Sequence, residues 1–192
     1  MMIFENDIIR LREATLEDAE ELFKVTNDED VMKYYGMEPF KNIKEAEEEI
    51  NWFISLFKED RGARWVIADK NTNKYVGDVG IYDYSRQHNK AEIGFKLKKE
   101  YWNKGIMTEC VKEVLNFSFF YKNCNRVQAI VDPRNTGCKK ALEKSGFKLE
   151  GLLREYEFEY GDYVDLQMYS ILKREYLEAS KETRIAANHW GH

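Results

Sequence analysis

The segment from Asp132 to Phe147 holds the most chemistry in the shortest space, reading Asp-Pro-Arg-Asn-Thr-Gly-Cys and closing with Leu142-Glu143-Lys144-Ser145-Gly146-Phe147. Asn135 is suited to cap a helix by accepting from an orphan amide, and Gly146 to the left-handed turn beyond it. Pro133 prevents a helix from running through it and pushes Asp132 toward extended geometry. The mouth of such a helix presents free amides and partial positive charge. It can hold an anion, lower the pKa of a thiol such as Cys138, or simply turn the chain. A second mouth is Tyr101-Trp102-Asn103-Lys104-Gly105-Ile106-Met107-Thr108, where Gly105 opens a helix and free amides can cradle a phosphate or diphosphate. Taken singly, that loop reads better as an ordinary strand-to-helix turn, because one glycine is a weak phosphate-loop signal and neither the dinucleotide fingerprint nor the Walker pattern is present. Glu155, Glu157 and Glu159 alternate with Tyr156, Phe158 and Tyr160. Alternation predicts three carboxylates on one strand face, either solvated or gathered at a site.

These residues need elements to position them. Residues 8–14 read as a strand with Ile9 and Leu11 on one face. Thr15 to Asp18 resembles a capping signal, opening a helix to about Val25. Asn42 starts a second helix, with Ile43, Ala46, Ile50, Phe53, Ile54 and Phe57 at helical spacing. Its acidic run Glu47-Glu48-Glu49 falls mostly on the opposite, solvated side. Residues 64–69, 75–82 and 91–97 are strands joined by polar turns. A long amphipathic helix follows Gly105, with Met107, Val111, Val114, Leu115 and Phe119 available for burial. Residues 125–131 form the strand before the Asp132 turn, and 147–160 and 164–172 flank Gly161-Asp162. A meander followed by strand–helix crossovers predicts an α/β (mixed α+β) fold: a mostly antiparallel sheet of about seven strands with helices on both faces.

At 192 residues, with 43% apolar and 14% aromatic side chains, the chain is long and apolar enough for one folded core. We expect a single domain over residues 1–176 and a tail over 177–192 that is a frayed helix or disordered. A net charge of −5 disfavours a nucleic-acid partner and favours cationic ones such as amines. Cys110, Cys124 and Cys138 are an odd number without CxxC spacing, as expected of reduced thiols. The start of the chain lacks signal-peptide character, and no apolar run reaches the ~18–20 residues of a membrane span. The expectation is a soluble, cytoplasmic protein. His88 sits in a polar turn, and His189 and His192 flank Trp190 and Gly191, away from other ligands, so no metal site is predicted.

The order of elements, with Trp102 to Met107 followed by Asp132-Pro133-Arg134-Asn135 and Ser145-Gly146-Phe147, resembles the GNAT superfamily of acetyl-CoA-dependent N-acetyltransferases. Glu150-Gly151-Leu152-Leu153-Arg154-Glu155 and Gly161-Asp162-Tyr163-Val164-Asp165 look like its Rim-type branch, which includes ribosomal-protein N-terminal acetyltransferases. The resemblance spans residues 8–175. It implies that main-chain groups near Phe95, Lys96 and Leu97 hold the pantetheine arm and acetyl group. It implies that amides of Asn103, Lys104, Gly105, Ile106, Met107 and Thr108 bind the diphosphate, and that Asn135 contacts the cofactor arm. Trp102 and Met107 depart from the usual loop, but binding by backbone amides tolerates the change.

An alkyl ammonium must lose a proton before it attacks a thioester, so a base is useful. The oxyanion then needs a donor, and the departing thiolate needs stabilisation or a proton. Many relatives supply that proton from a tyrosine four residues before the glycine of the Gly-Phe pair; Leu142 stands there and can donate nothing. The Rim-type resemblance instead implies a serine at the position of Cys138 and a base at Glu157. Cys138 has three readings: a small core residue, a partner of the leaving sulfur, or a nucleophile. The implied function is direct acetyl transfer to a primary amine in a ternary complex, the acceptor a protein or peptide N-terminus, or else a polyamine, amino acid or antibiotic amine. A non-catalytic acyl-CoA sensor is the competing class. The protein is expected as a monomer or homodimer.

Overall fold

Eight strands form one sheet in the computed structural model, which describes residues 3–179. They are β1 (Phe4–Glu5), β2 (Ile9–Arg12), β3 (Ala63–Asp69), β4 (Tyr75–Ser85), β5 (Lys90–Leu97), β6 (Arg126–Val131), β7 (Lys148–Glu159) and β8 (Asp162–Leu172). Their order is β1-β2-β3-β4-β5-β6-β8-β7, and every neighbouring pair is antiparallel except β5–β6. The strand beyond the expected seven is β1, whose two residues are too few for alternation to register. The helices that precede residue 173 are α1 (Ala19–Thr26), α2 (Glu29–Met32), α3 (Ile43–Lys58), α4 (Ile106–Asn116) and α5 (Thr136–Lys144). Residues 173–179 are also helical, and the rest of the expected tail lies outside the described residues.

Side-chain alternation sorts the sheet into two cores. Along β3, Trp65 and Ile67 join Val79, Ile81 and Ile93 beneath Val111, Val114 and Leu115 of α4. Val66 and Ala68 point the other way and pack with Leu22 of α1 and with Ile50 and Phe53 of α3. A stretch buried on both faces shows no polar alternation, which is why Trp65 to Ala68 read as one apolar run.

The helix starts follow their capping residues. Asn42 accepts from the Glu45 amide at 3.3 Å, and the Thr15 amide donates to Asp18 Oδ2 at 2.8 Å. A single 3-10 turn, Leu16–Asp18, precedes α1. On α3 the apolar stripe is narrower than its spacing predicts. Ala46, Ile50, Phe53 and Leu56 are buried, whereas Ile43 and Phe57 are each 43% exposed, because the sheet covers only one side of the helix. The helix expected after Gly105 changes to a π-helical turn at Phe117–Tyr121, which buries Phe119 and leaves Phe120 and Tyr121 exposed.

Two irregularities matter for the site. β5 and β6 pair only at Lys90–Arg126, Ala91–Val127 and Glu92–Gln128. Beyond Glu92 the two parallel strands part and leave a gap between their C-terminal ends. On β7 the register against β8 shifts between Leu153 and Glu157, and Glu155 adopts φ +48°. That bulge breaks the predicted alternation. Glu155 therefore does not continue the face of Glu157 and Glu159; its amide instead donates to Asp165 Oδ1 at 2.8 Å.

Candidate active site

The gap between β5 and β6 opens into a cleft of about 1230 Å³. Phe95, Lys96, Leu97, Asn103, Gly105, Ile106, Met107, Thr108, Asn135, Cys138 and Glu157 all border it, so nearly the whole predicted set converges there. Lys104 does not line it; its ammonium lies 5.3 Å from the Tyr101 ring centroid.

At one end stands the mouth of α4. Asn103 and Gly105 have φ of +60° and +76°, which turns successive amides toward a common point. Among the described residues, the amides of Asn103 to Thr108 donate to no protein acceptor. Trp102 anchors this loop to the strand end through Nε1, which donates to the Leu97 carbonyl at 2.7 Å. Orphan amides at the start of an 11-residue helix, beside a parted strand pair, fit a diphosphate with an extended arm.

At the second mouth, Asn135 Oδ1 accepts from the Cys138 amide at 3.0 Å, so the cap is occupied by its own helix. Only the Asn135 Nδ2 remains for a ligand. Asn135→Ala is expected to cost about 1 kcal/mol, and thermal unfolding should read this as a Tm lower by roughly 2–4 °C. Gly146 takes the left-handed conformation expected of it, at φ +94°. Leu142 is fully buried.

Burial pushes the Cys138 thiol up to about 12. Despite the helix mouth, a thiol shifted this way holds little thiolate at neutral pH, which weighs against the nucleophile reading. Iodoacetamide at pH 8 should label native Cys138 at least ~100-fold more slowly than a free cysteine, whose pKa is about 8.5. Peptide mass spectrometry against the unfolded chain checks this.

The other end of the cleft is acidic. Glu157 and Glu159 line it from β7, and Glu92 from β5. The Glu92 carboxyl accepts from Tyr82 OH at 2.7 Å, with Gln128 Nε2 at 3.4 Å. Burial raises the pKa of Glu92, assisted by the neighbouring charge of Glu157 and opposed by those two hydrogen bonds. Burial also raises Glu159, with repulsion from Glu157 and Asp132 adding to it. Glu157 thus stands close to both. Gly36, at φ +71°, leaves room for Glu159: a Cβ there would lie 2.5 Å from its Oε1. Asp132 adds little net charge, because Arg134 Nη2 pairs with it at 2.6 Å and holds it low against the effect of burial.

Beneath the acids lies a buried charge cluster that sequence reading missed. Asp78 is fully buried on β4 and accepts from Arg64 Nε at 2.7 Å, again from Arg64 Nη2, and from Tyr75 OH. Arg64 Nη2 also donates to Tyr35 OH at 3.0 Å. Lys96 Nζ is 3.2 Å from Asp78 Oδ2 and 3.5 Å from Glu49 Oε1, near enough to pair in charge but too poorly directed to hydrogen-bond. Burial alone would raise Asp78, yet Arg64 and Lys96 hold it below the usual range. One signal for this was present in the sequence. Glu92, Gly94 and Lys96 alternate with apolar Ile93, Phe95 and Leu97, which gives β5 one polar face.

No group of three His, Cys, Asp or Glu side chains among the described residues is placed to hold a metal ion. His88 is exposed, and His189 and His192 lie outside the described residues. No helix among the described residues is long and apolar enough to cross a membrane.

The parted strands, the amide-rich mouth of α4 and the acid cluster match what acyl transfer from a thioester to an amine requires. A family model, the acetyltransferase (GNAT) domain, matches residues 9–148. The chain belongs to the GNAT acetyltransferase family. Uncharacterized N-acetyltransferase YoaA of Bacillus subtilis (strain 168) is 34% identical, over 89% of this chain and 97% of that protein. Uncharacterized N-acetyltransferase p20 of Bacillus licheniformis is 36% identical, over 88% and 94%. Among solved structures, spermidine N-acetyltransferase from Vibrio cholerae in complex with CoA and spermine superposes with a TM-score of 0.77 at 26% identity, over 90% of this chain and 99% of that one. This GNAT chain is an acetyl-CoA-dependent N-acetyltransferase.

Proposed function

We propose that this GNAT enzyme acetylates the α-amine of a protein or peptide N-terminus in the cytoplasm, in the manner of the Rim-type branch. The observation that carries the reading is the gathering of Glu92, Glu157 and Glu159 at one end of a cleft whose other end is the orphan-amide mouth of α4. Acetyl-CoA supplies the acetyl group as a thioester. The amides of Asn103 to Thr108 hold its diphosphate, and main-chain groups of Phe95 to Leu97, freed where β5 leaves β6, hold the arm and polarise the thioester carbonyl.

Glu157 takes the proton of the acceptor ammonium, directly or through one water. Glu92 and Glu159 hold the ammonium beforehand by charge. The N–C bond forms as the C–S bond breaks. The proton shed by the acylated nitrogen goes to the departing sulfur, which Cys138 supports through an S–H hydrogen bond. Every step is a direct transfer between two bound molecules, without an acetyl-cysteine.

A polyamine acceptor is the second reading, favoured by the three carboxylates and by the spermine bound to the Vibrio cholerae relative. A turnover screen with mass detection decides between them. N-terminal peptides, spermidine and an aminoglycoside are offered at equal concentration. The peptides should give the largest kcat/KM, and a tenfold preference for spermidine would replace the first reading by the second.

A further inference from the structure

Arg64 is more constrained than a packing role requires, and one edge of it remains unused. Its Nε and Nη2 are committed to Asp78 and Tyr35, while its Nη1 donates to no acceptor among the described residues. The side chain is only 3% exposed and nevertheless borders the cleft.

Two glycines make this arrangement possible. Gly80 on β4 and Gly94 on β5 are register partners, and Arg64 on β3 pairs with Gly80. A Cβ on Gly80 would lie 2.5 Å from Arg64 Cα, and a Cβ on Gly94 would lie 3.1 Å from Arg64 Nη1 and 3.0 Å from Tyr82 Cε1. The missing side chains leave a trough in the sheet, and the guanidinium lies along it, flanked by the Trp52 and Phe53 rings. Lys96, charged and without a well-directed hydrogen bond, backs it from the next position on that face.

We infer that Arg64 is the residue that reads the acceptor, its Nη1 donating to an oxygen carried on the carbon next to the amine-bearing carbon. The inference rests on the N-terminal amine reading. Glu92 and Gly94 share a face of β5, and a Cβ on Gly94 would lie 3.1 Å from Nη1, so the acid and the free donor edge border the same cleft. An α-aminoacyl group presents an amine to the acids and, on the adjoining carbon, an oxygen to Nη1. A peptide carbonyl and the carboxylate of a free amino acid share this chemistry. A polyamine presents no oxygen there.

The test compares two acceptors that differ at that point, alaninamide and isopropylamine, with kcat/KM corrected for the fraction of free base. The wild-type enzyme should favour alaninamide at least tenfold. Arg64→Lys keeps one charge near Asp78 but loses the third donor edge, and Gly94→Ala places a methyl against Nη1 without touching Asp78. Each should bring the preference within about twofold, and Gly94→Ala keeps the inference testable if Arg64→Lys fails to fold. A wild-type preference for isopropylamine, or a preference for alaninamide that survives Gly94→Ala, overturns the role of Arg64. Free alanine outperforming an alanyl peptide, with the same dependence on Gly94, would support Arg64 and overturn only the N-terminal acceptor.

Discussion

Glu157→Gln lowers kcat/KM for the best amine acceptor by roughly 10²- to 10³-fold, the usual contribution of a positioned general base. The amide keeps the shape and still accepts a hydrogen bond, but it cannot take the ammonium proton. The loss should appear in kcat, while the affinity for acetyl-CoA, measured by calorimetry, changes little because the diphosphate site is at the other end of the cleft. Glu92→Gln makes the comparison decisive. Its carboxyl is engaged by Tyr82 and raised by burial, and on the proposed mechanism it attracts the ammonium, so its loss should raise KM more than it lowers kcat. If instead Glu92→Gln abolishes turnover and Glu157→Gln leaves turnover and its pH profile intact, the base is Glu92. Higher pH offers a further check. Raising pH deprotonates the acceptor in bulk solution, so the Glu157→Gln enzyme should recover part of its deficit as pH rises toward the amine's own pKa.

Asp78→Asn destabilises the fold by about 3–5 kcal/mol, because it leaves Arg64 and Lys96 buried without a full counter-charge. For a chain of this size that is a fall in Tm of roughly 6–20 °C. Differential scanning calorimetry reads it directly, and an Asp78→Asn protein within 2 °C of wild type would contradict it. Replacing the three charges together, as Asp78→Leu with Arg64→Met and Lys96→Met, should recover most of the loss. Hydrophobic groups of similar volume often substitute for a buried ionic cluster at little cost in stability. That triple variant separates the two roles of the cluster. Stability returns, and selection of the acceptor through Arg64 does not.

Much of the scaffold was legible because its signals are local. Asn42, Asn135 and Gly146 each sit where a helix must begin or end, and the structure uses them so. The mouth of α4 follows from Gly105 and the strand before it. The acid cluster was legible only in part. Alternation predicted a common face for Glu155, Glu157 and Glu159, and a bulge with φ +48° at Glu155 withdraws one of the three. Bulges arise from pairing between strands, so a pattern read along one strand does not contain them. Glu92 and Arg64 were missed for a related reason. Each occupies a strand position that is unremarkable until its partners, Tyr82 and Gln128 for one and Gly80 and Asp78 for the other, are brought alongside.

The amino-acid sequence by itself determined the caps, the two amide-bearing helix mouths and the absence of a tyrosine at Leu142, since these depend on residues within a few positions of one another. Only the tertiary structure decided which carboxylates border the cleft and that Arg64 borders it with them, one donor edge free. Those groups come from β3, β5 and β7. They meet because the register of the sheet aligns two glycines into a trough and because β5 parts from β6 after three paired residues.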